Sequence, residues 1–398
     1  MSAHKPRQLA REPSDLDYAF DHLDELMEAD GIDVLIASSK HNVRYLLGGY
    51  EFIFFSTMDA IGHSRYLPLF VYVRGSADNT AYIANKMESG EHAVHPFWVP
   101  EFKPVAWGSF DAMAAAIDHL QSIGITGKSI GIETGFLPMD AADALRSAFP
   151  DSSLFNATGT LERLRAVKTP REIRLLREAT ELISAALRET MNGSKEGDSK
   201  HEIVQRLRSE EAARGLQFEY CLIALGDSHN RAASNQIWRK GDVISLDSGG
   251  NLHGYIGDIC RMGVLGTPDA ELMDLLAEVE ETQKAAFSMI GAGKTGAEMI
   301  AHATAIKDGL SNGKCTDFFV HGMGLITHEA PFLMTNHPVA YDGTDSEKPL
   351  QAGMILSVET TMLHPTRGFI KLEDTILVED NGCEIFGSDG RDWTCSKP

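Results

Sequence analysis

Val243-Ile-Ser-Leu-Asp247-Ser-Gly-Gly250, followed by Gly254-Tyr-Ile-Gly-Asp258-Ile-Cys-Arg261, is the stretch on which the fold turns. Each half reads as a β-strand, and each carries one aspartate in otherwise apolar surroundings. A lone aspartate at a strand end is ordinarily a turn former. Here a second one follows eleven residues later, and a hairpin turning near Asn251 brings both carboxylates to one end of the pair. Two neighbouring carboxylates repel, so both stay ionised only if a cation holds them.

Downstream, Phe318-Phe-Val-His321-Gly-Met-Gly-Leu-Ile-Thr-His328-Glu-Ala-Pro331 sets two histidines seven residues apart around glycines that let the backbone approach closely. Ile355-Leu-Ser-Val-Glu359 and Ile370-Lys-Leu-Glu373-Asp-Thr-Ile-Leu-Val378 each interrupt an apolar β run with a glutamate. Such residues are rare inside strands unless paired or liganded. Taken singly, each acidic residue fits a structural ion pair. Together, four carboxylates and one imidazole supply about the charge that two divalent ions require, and these hard donors suit Mn2+, Co2+, Fe2+ or Zn2+ better than Cu+.

Two other patterns carry no chemistry. Gly291-Ala-Gly293-Lys-Thr-Gly296 matches GxGxxG but follows a helical segment instead of a strand, so it reads as a helix–helix corner. His328-Glu329 begins like HExxH, with Phe332 where the second histidine must stand.

Around this region, a long helix with Pro170 in its first turn opens a second domain. Further helices are expected over 201–213, 270–290 and 296–309, with strands at 242–249, 254–262, 354–358 and 369–378. Ahead of it, an amphipathic helix ending at the Gly31 stop is followed by strands at 32–37, 67–73, 81–84 and 129–132 and helices at 110–123 and 139–148. A chain of 398 residues exceeds one ordinary core, and the reading is α/β (α+β), with domains over 1–158 and 159–398.

Acidic residues outnumber basic ones by 57 to 36, and the resulting charge of −21 repels nucleic acid and anionic membranes. The apolar run near 67–73 is too short to span a bilayer, and the first residues contain no apolar signal core. Cys221, Cys260, Cys315, Cys383 and Cys395 form no CxxC pair, which argues for reduced thiols and against a thiolate zinc site. The expectation is a cytoplasmic protein with neither nucleic acid nor a membrane as partner.

The order Asp247, Asp258 within GYxxDxxR, HGxGLxxHExP, Glu359, then Glu373-Asp-Thr resembles the aminopeptidase P, prolidase, methionine aminopeptidase and creatinase superfamily, peptidase family M24. Leu164-Arg-Ala-Val-Lys-Thr-Pro-Arg-Glu-Ile173 resembles the entry to that family's pseudo-symmetric pita-bread domain. Asn42-Val-Arg-Tyr-Leu-Leu-Gly-Gly49 resembles a signature of the creatinase/prolidase-like N-terminal domain. The resemblance implies a homodimeric hydrolase of a C–N amide bond, an Xaa-Pro dipeptidase or aminopeptidase P, carrying two divalent metal ions, manganese first among them. It implies Asp247 on one ion, Asp258 and Glu373 bridging, and His321 and Glu359 on the other. It also implies His328 as the catalytic hydrogen-bond donor to the scissile group and Glu359 as a proton carrier. The family's upstream catalytic histidine aligns with Asn230, with His229 one step away.

Three departures surround the substrate pocket. Lys371 replaces an arginine, Thr360-Thr361 replaces Pro-Gly, and Val320 replaces a glycine. They keep open a non-peptidase branch similar to creatinase, ectoine hydrolase or dimethylsulfoniopropionate lyase, and a non-catalytic binding member. Tyr50-Glu-Phe-Ile-Phe-Phe-Ser56 reads either as interior packing or, through the resemblance, as a wall over the site of a second subunit.

Overall fold

The computed structural model describes residues 9–59, 64–334 and 343–397, which form two compact units, Met1–Arg165 and Ala166–Pro398. In the first unit the strands are β1 (Val34–Ala37), β2 (Leu69–Val73), β3 (Ser76–Asn85), β4 (Glu101–Ala106), β5 (Ser129–Ile132) and β6 (Ser153–Asn156). They form one mixed sheet in the order β4-β3-β2-β1-β5-β6. Its helices are α1 (Phe20–Ala29), α2 (Lys40–Leu46), α3 (Glu88–Val94), α4 (Ser109–Ser122), α5 (Met139–Ala148) and α6 (Thr158–Ala166). Alternate strand residues such as Val34, Ile36, Leu69 and Val71 pack against Met113, Leu120 and Leu145 of α4 and α5. Helix α6 lies on this side of the division at Arg165, because Thr160 and Arg163 bond Asp30 and Arg165 bonds Asn42. The aromatic segment holds a short 3-10 helix, Ile53–Phe55, in which Phe55 is buried and Phe54 packs edge-on against Tyr66.

The second unit repeats one plan. Helices α7 (Pro170–Gly193) and α8 (Lys200–Ala213) precede β7 (Gln217–Leu225), β8 (Val243–Leu252) and β9 (Tyr255–Leu265). Helices α9 (Ala270–Phe287) and α10 (Gly296–Gly309) precede β10 (Thr316–Gly322), β11 (Ile355–His364) and β12 (Gly368–Glu379). The strands join in the order β10-β11-β12-β9-β8-β7, so β12 and β9 form a seam between two halves of like construction. This is the pita-bread architecture.

Local signals set the helix starts. Thr169 and Glu172 cap α7 reciprocally with Pro170 in the first turn, and the Ser199/Glu202 and Thr295/Glu298 pairs do the same for α8 and α10. The GxGxxG segment lies between α9 and α10, a corner and not a phosphate loop. Ile183 and Leu187 of α7 pack on Ile244, Leu246 and Ile259, while Ala286, Met299 and Ala303 pack on Val320, Val358 and Val378. Each buried Ile, Leu, Val or Met among them contributes about 1.5–3 kcal/mol. Strand periodicity then forces the residues between them to the opposite face of the sheet. Gly257 permits the close fit of α7, since a Cβ there would lie 2.7 Å from the Thr180 backbone nitrogen.

Candidate metal centre

The face of the second sheet turned away from its helices carries the centre. The hairpin reverses at His253-Gly254, both with positive φ, beyond the Asn251 position expected from sequence. Its register sets Asp247 opposite Cys260 and Asp258 opposite Gly249, so the two aspartates sit mid-strand on one face, two residues out of step. On the other half Glu359 stands directly opposite Glu373, and Phe319 opposite Glu359. The seam pairs Glu373 with Cys260. One rung across the sheet therefore carries Glu359, Glu373 and Asp247. His321 and Asp258 lie two residues along their strands, on the next rung of the same face.

The seam is locked from behind by the rest of the motif. Arg261 pairs with Asp374 at 2.7 Å and donates to the Glu373 carbonyl at 2.8 Å, both side chains being buried. Arg391 pairs with the other oxygen of Asp374, and the Thr375 hydroxyl donates to the Asp258 carbonyl at 2.8 Å. A buried pair with every carbonyl satisfied fixes register, which is the use to which a costly interior charge is suited.

The five predicted ligands converge. Asp258, His321 and Glu373 each offer a donor atom within 4.8 Å of the other two, and so do Asp247, Glu359 and Glu373. His321 is buried, and its Nδ1 faces the Gly322 carbonyl at 3.2 Å, which makes Nδ1 the protonated nitrogen. Its Nε2 then points a lone pair at the carboxylates, 3.9 Å from Glu373, with no hydrogen-bond partner among the described residues. A buried acceptor facing carboxylates is the arrangement a metal ion completes. Burial pushes the His321 imidazole down to about 4.

The electrostatics agree. Burial, then repulsion from Glu373 and Asp247, holds the Asp258 carboxyl well above the usual range. Burial also raises Asp247, against the pull of Lys371. A cation entering this cluster is what allows all the carboxylates to ionise together.

His328 stacks face-on against His321, ring centroids 3.9 Å apart and planes at 10°, and lines the cavity above the cluster. Burial lowers it to about 4, so its ring is neutral at pH 7 and can donate a hydrogen bond. His229 is not brought to the cluster. Its ring is exposed and its Nε2 meets the His364 carbonyl at 3.1 Å, because the segment turns back along the end of β11. Asn230 is likewise exposed, its carbonyl held by Lys200. The residue this segment sends inward is Arg231, which pairs with Asp247 and lies over the Phe369 ring at 4.8 Å.

Two further contributors were not picked out as site residues. Tyr220 bonds Asp258 from β7, its ring lying where a Cβ on Gly249 would come within 2.3 Å of it. Lys371 buries its ammonium among Asp247 at 2.6 Å, Glu373 at 2.8 Å and Glu359. A sequence signal for Lys371 exists, since a strand residue two before Glu373 shares its face. Tyr220 has none, because only the β7–β8 register sets it opposite Gly249. The cavity over these groups measures about 940 Å³ and is walled by Tyr220, Phe319, His328, Thr361 and Phe369.

Comparison with known proteins places this geometry. The profile of metallopeptidase family M24 matches residues 174–380, and that of the creatinase/prolidase N-terminal domain matches residues 20–167. An uncharacterised peptidase of Bacillus subtilis is 26% identical over 88% of this chain and 92% of its own length. The Xaa-Pro dipeptidase of Pyrococcus furiosus is 25% identical over 67% of this chain and 76% of its own. Among solved structures, an Xaa-Pro dipeptidase from Bacillus anthracis superposes with a TM-score of 0.78 at 23% identity, covering 95% of this chain and 98% of the other, a likeness of fold. With its ligand-type residues gathered at the seam of a pita-bread sheet and an N-terminal domain of the creatinase/prolidase type ahead of it, the chain belongs to metallopeptidase family M24.

Proposed function

We propose that this chain hydrolyses the amide bond of an Xaa-Pro dipeptide, using divalent metal held by residues drawn from Asp247, Asp258, His321, Glu359 and Glu373. The observation that carries the reading is the buried Nε2 of His321, which faces the carboxylates of Glu359 and Glu373 with no hydrogen-bond partner among the described residues. The names of the Xaa-Pro dipeptidase relatives support the substrate class. Bound metal supplies a Lewis acid that polarises the carbonyl and acidifies a water, and the oxygen-rich donor set favours Mn2+, with Co2+, Zn2+ or Fe2+ as substitutes.

The chain's own groups do the rest. Glu359, at the cavity edge of the cluster, takes the proton released by the attacking water and passes it to the leaving nitrogen. His328, neutral and facing the cavity, donates to the carbonyl oxygen as charge builds there. Phe319 and Phe369 give apolar walls suited to a pyrrolidine ring. The test compares Mn2+-loaded and chelated protein on Xaa-Pro dipeptides, with His328→Ala beside it. Turnover that needs metal, and that falls ~10²–10³-fold in His328→Ala at unchanged metal content, is expected. Hydrolysis of a small amidine or cyclic solute with no dipeptide activity would move the chain to the non-peptidase branch.

A further inference from the structure

The two donor triads at the seam are not alike in what already fills them. Asp247, Glu359 and Glu373, the first rung, are the three carboxylates that the Lys371 ammonium touches, at 2.6 Å to Asp247, 2.8 Å to Glu373 and in contact with Glu359. Lys371 is a strand residue of β12, buried at 2% exposure, and its stem is enclosed by the sheet face. Arg231 adds a second positive charge on Asp247 from the rim. In the other triad, Asp258, His321 and Glu373, only the shared Glu373 meets the Lys371 ammonium, and the further donors are neutral. The Tyr220 hydroxyl bonds Asp258 and the Ser357 hydroxyl donates to Glu373 at 2.7 Å. There the buried Nε2 of His321 has no partner among the described residues.

Charge counting separates the triads further. Four carboxylates against one ammonium and one guanidinium leave two negative charges, which a single divalent ion neutralises. A second divalent ion would leave the cluster with a positive surplus and would have to sit against an ammonium already in contact with three carboxylates. An ammonium supplies charge and three hydrogen-bond donors, yet it offers no coordination position.

We propose that this chain is a one-metal variant of the two-ion centre its sequence implies, holding its ion between Asp258, His321 and Glu373 while Lys371 occupies the Asp247–Glu359–Glu373 subsite as a built-in cation. The inference rests on the proposed metal-dependent reading and is separable from it.

Metal content decides it. Full-length protein is loaded with excess Mn2+, desalted, and assayed for manganese per chain by mass spectrometry. Its electron paramagnetic resonance spectrum is recorded at low temperature. About one ion per chain is expected, with the six-line spectrum of an isolated ion. Lys371→Met, which keeps the volume and removes the charge, is expected to take up about twice as much metal and to develop the spectrum of an exchange-coupled pair. Two ions in the unaltered protein, with a coupled spectrum, overturn the inference and leave the hydrolase reading standing. No bound metal at all overturns both. Should Lys371→Met fail to fold, the count and the spectrum of the unaltered protein decide alone, and a folded Lys371→Met that stays at one ion also overturns the proposal.

Discussion

Glu88 and Glu133 in the first unit are buried as deeply as Glu373 in the second, yet the two units neutralise their interior carboxylates in opposite ways. Glu88 accepts from the hydroxyls of Tyr50, Tyr66 and Tyr82 and from the Asn85 amide, all at 2.7–2.9 Å. Glu133 accepts from the amides of Ser38 and Ser39 and from the Asn42 side chain. Each is a single carboxyl group whose oxygens are met by neutral donors that the fold supplies, so the network is closed and no ligand is called for. At the seam four carboxylates share one space, and neutral donors are too few. The chain answers with Lys371 and Arg231, and an acceptor on His321 still has no hydrogen-bond partner among the described residues. Interior charge enclosed by neutral donors belongs to architecture; interior charge in excess of its donors marks chemistry.

Glu211 supplies an intermediate case. It is buried, one oxygen accepts from Ser248 at 3.0 Å, and the other has no partner among the described residues. Burial, which the Ser248 hydroxyl and the more distant Arg208 only partly offset, pushes it up to about 8, so it keeps its proton at neutral pH.

The comparison can be broken at three points. Glu373→Gln removes the carboxylate common to both triads, and the expected outcome is turnover at the background rate and loss of bound metal, with far-UV circular dichroism unchanged. A variant that keeps its metal would remove Glu373 from the centre. Glu88→Ala strands three tyrosine hydroxyls, and a loss of about 2–4 kcal/mol is expected, read by calorimetry as a fall of roughly 5–15 °C in the melting of the first unit. Metal per chain stays constant in that variant, and a fall in it would show that the Glu88 network is not purely architectural.

The smallest effect belongs to Glu211→Gln. Its folded-state value lies above the unfolded one of 4.5, so the stability it contributes is whole at pH 4 and is lost as pH rises toward 8. The glutamine variant escapes that loss and is expected to gain about 1–2 kcal/mol at pH 8 and nothing at pH 4. Parallel melting curves of the two proteins across this range would show that Glu211 ionises freely in the fold.

Much of this was legible in the chain itself. The helix starts at Pro170 and Gly296 are written in their capping boxes, and the five ligand types stand out because each interrupts an apolar strand. The alternation of Leu246 with Asp247, or Val358 with Glu359, already tells that the acidic residues share the face away from the helices. These signals are local, carried by residues within a turn or a strand of one another.

Other features depend on distance in sequence. Pairing of Glu373 with Cys260 across the seam joins segments more than a hundred residues apart, and without that register the two halves would hold three and two ligands in separate places. The same pairing brings Lys371 of one half to Asp247 of the other; within the first half, the β7–β8–β9 register carries Tyr220 to Asp258, while His229, adjacent to the expected position, turns outward and Arg231 turns in. Sequence determined which residue types were available for a metal centre and on which strand faces they stand. Only the tertiary structure decided which charges meet, because Coulomb interactions are set by separations of a few ångströms that no one strand defines.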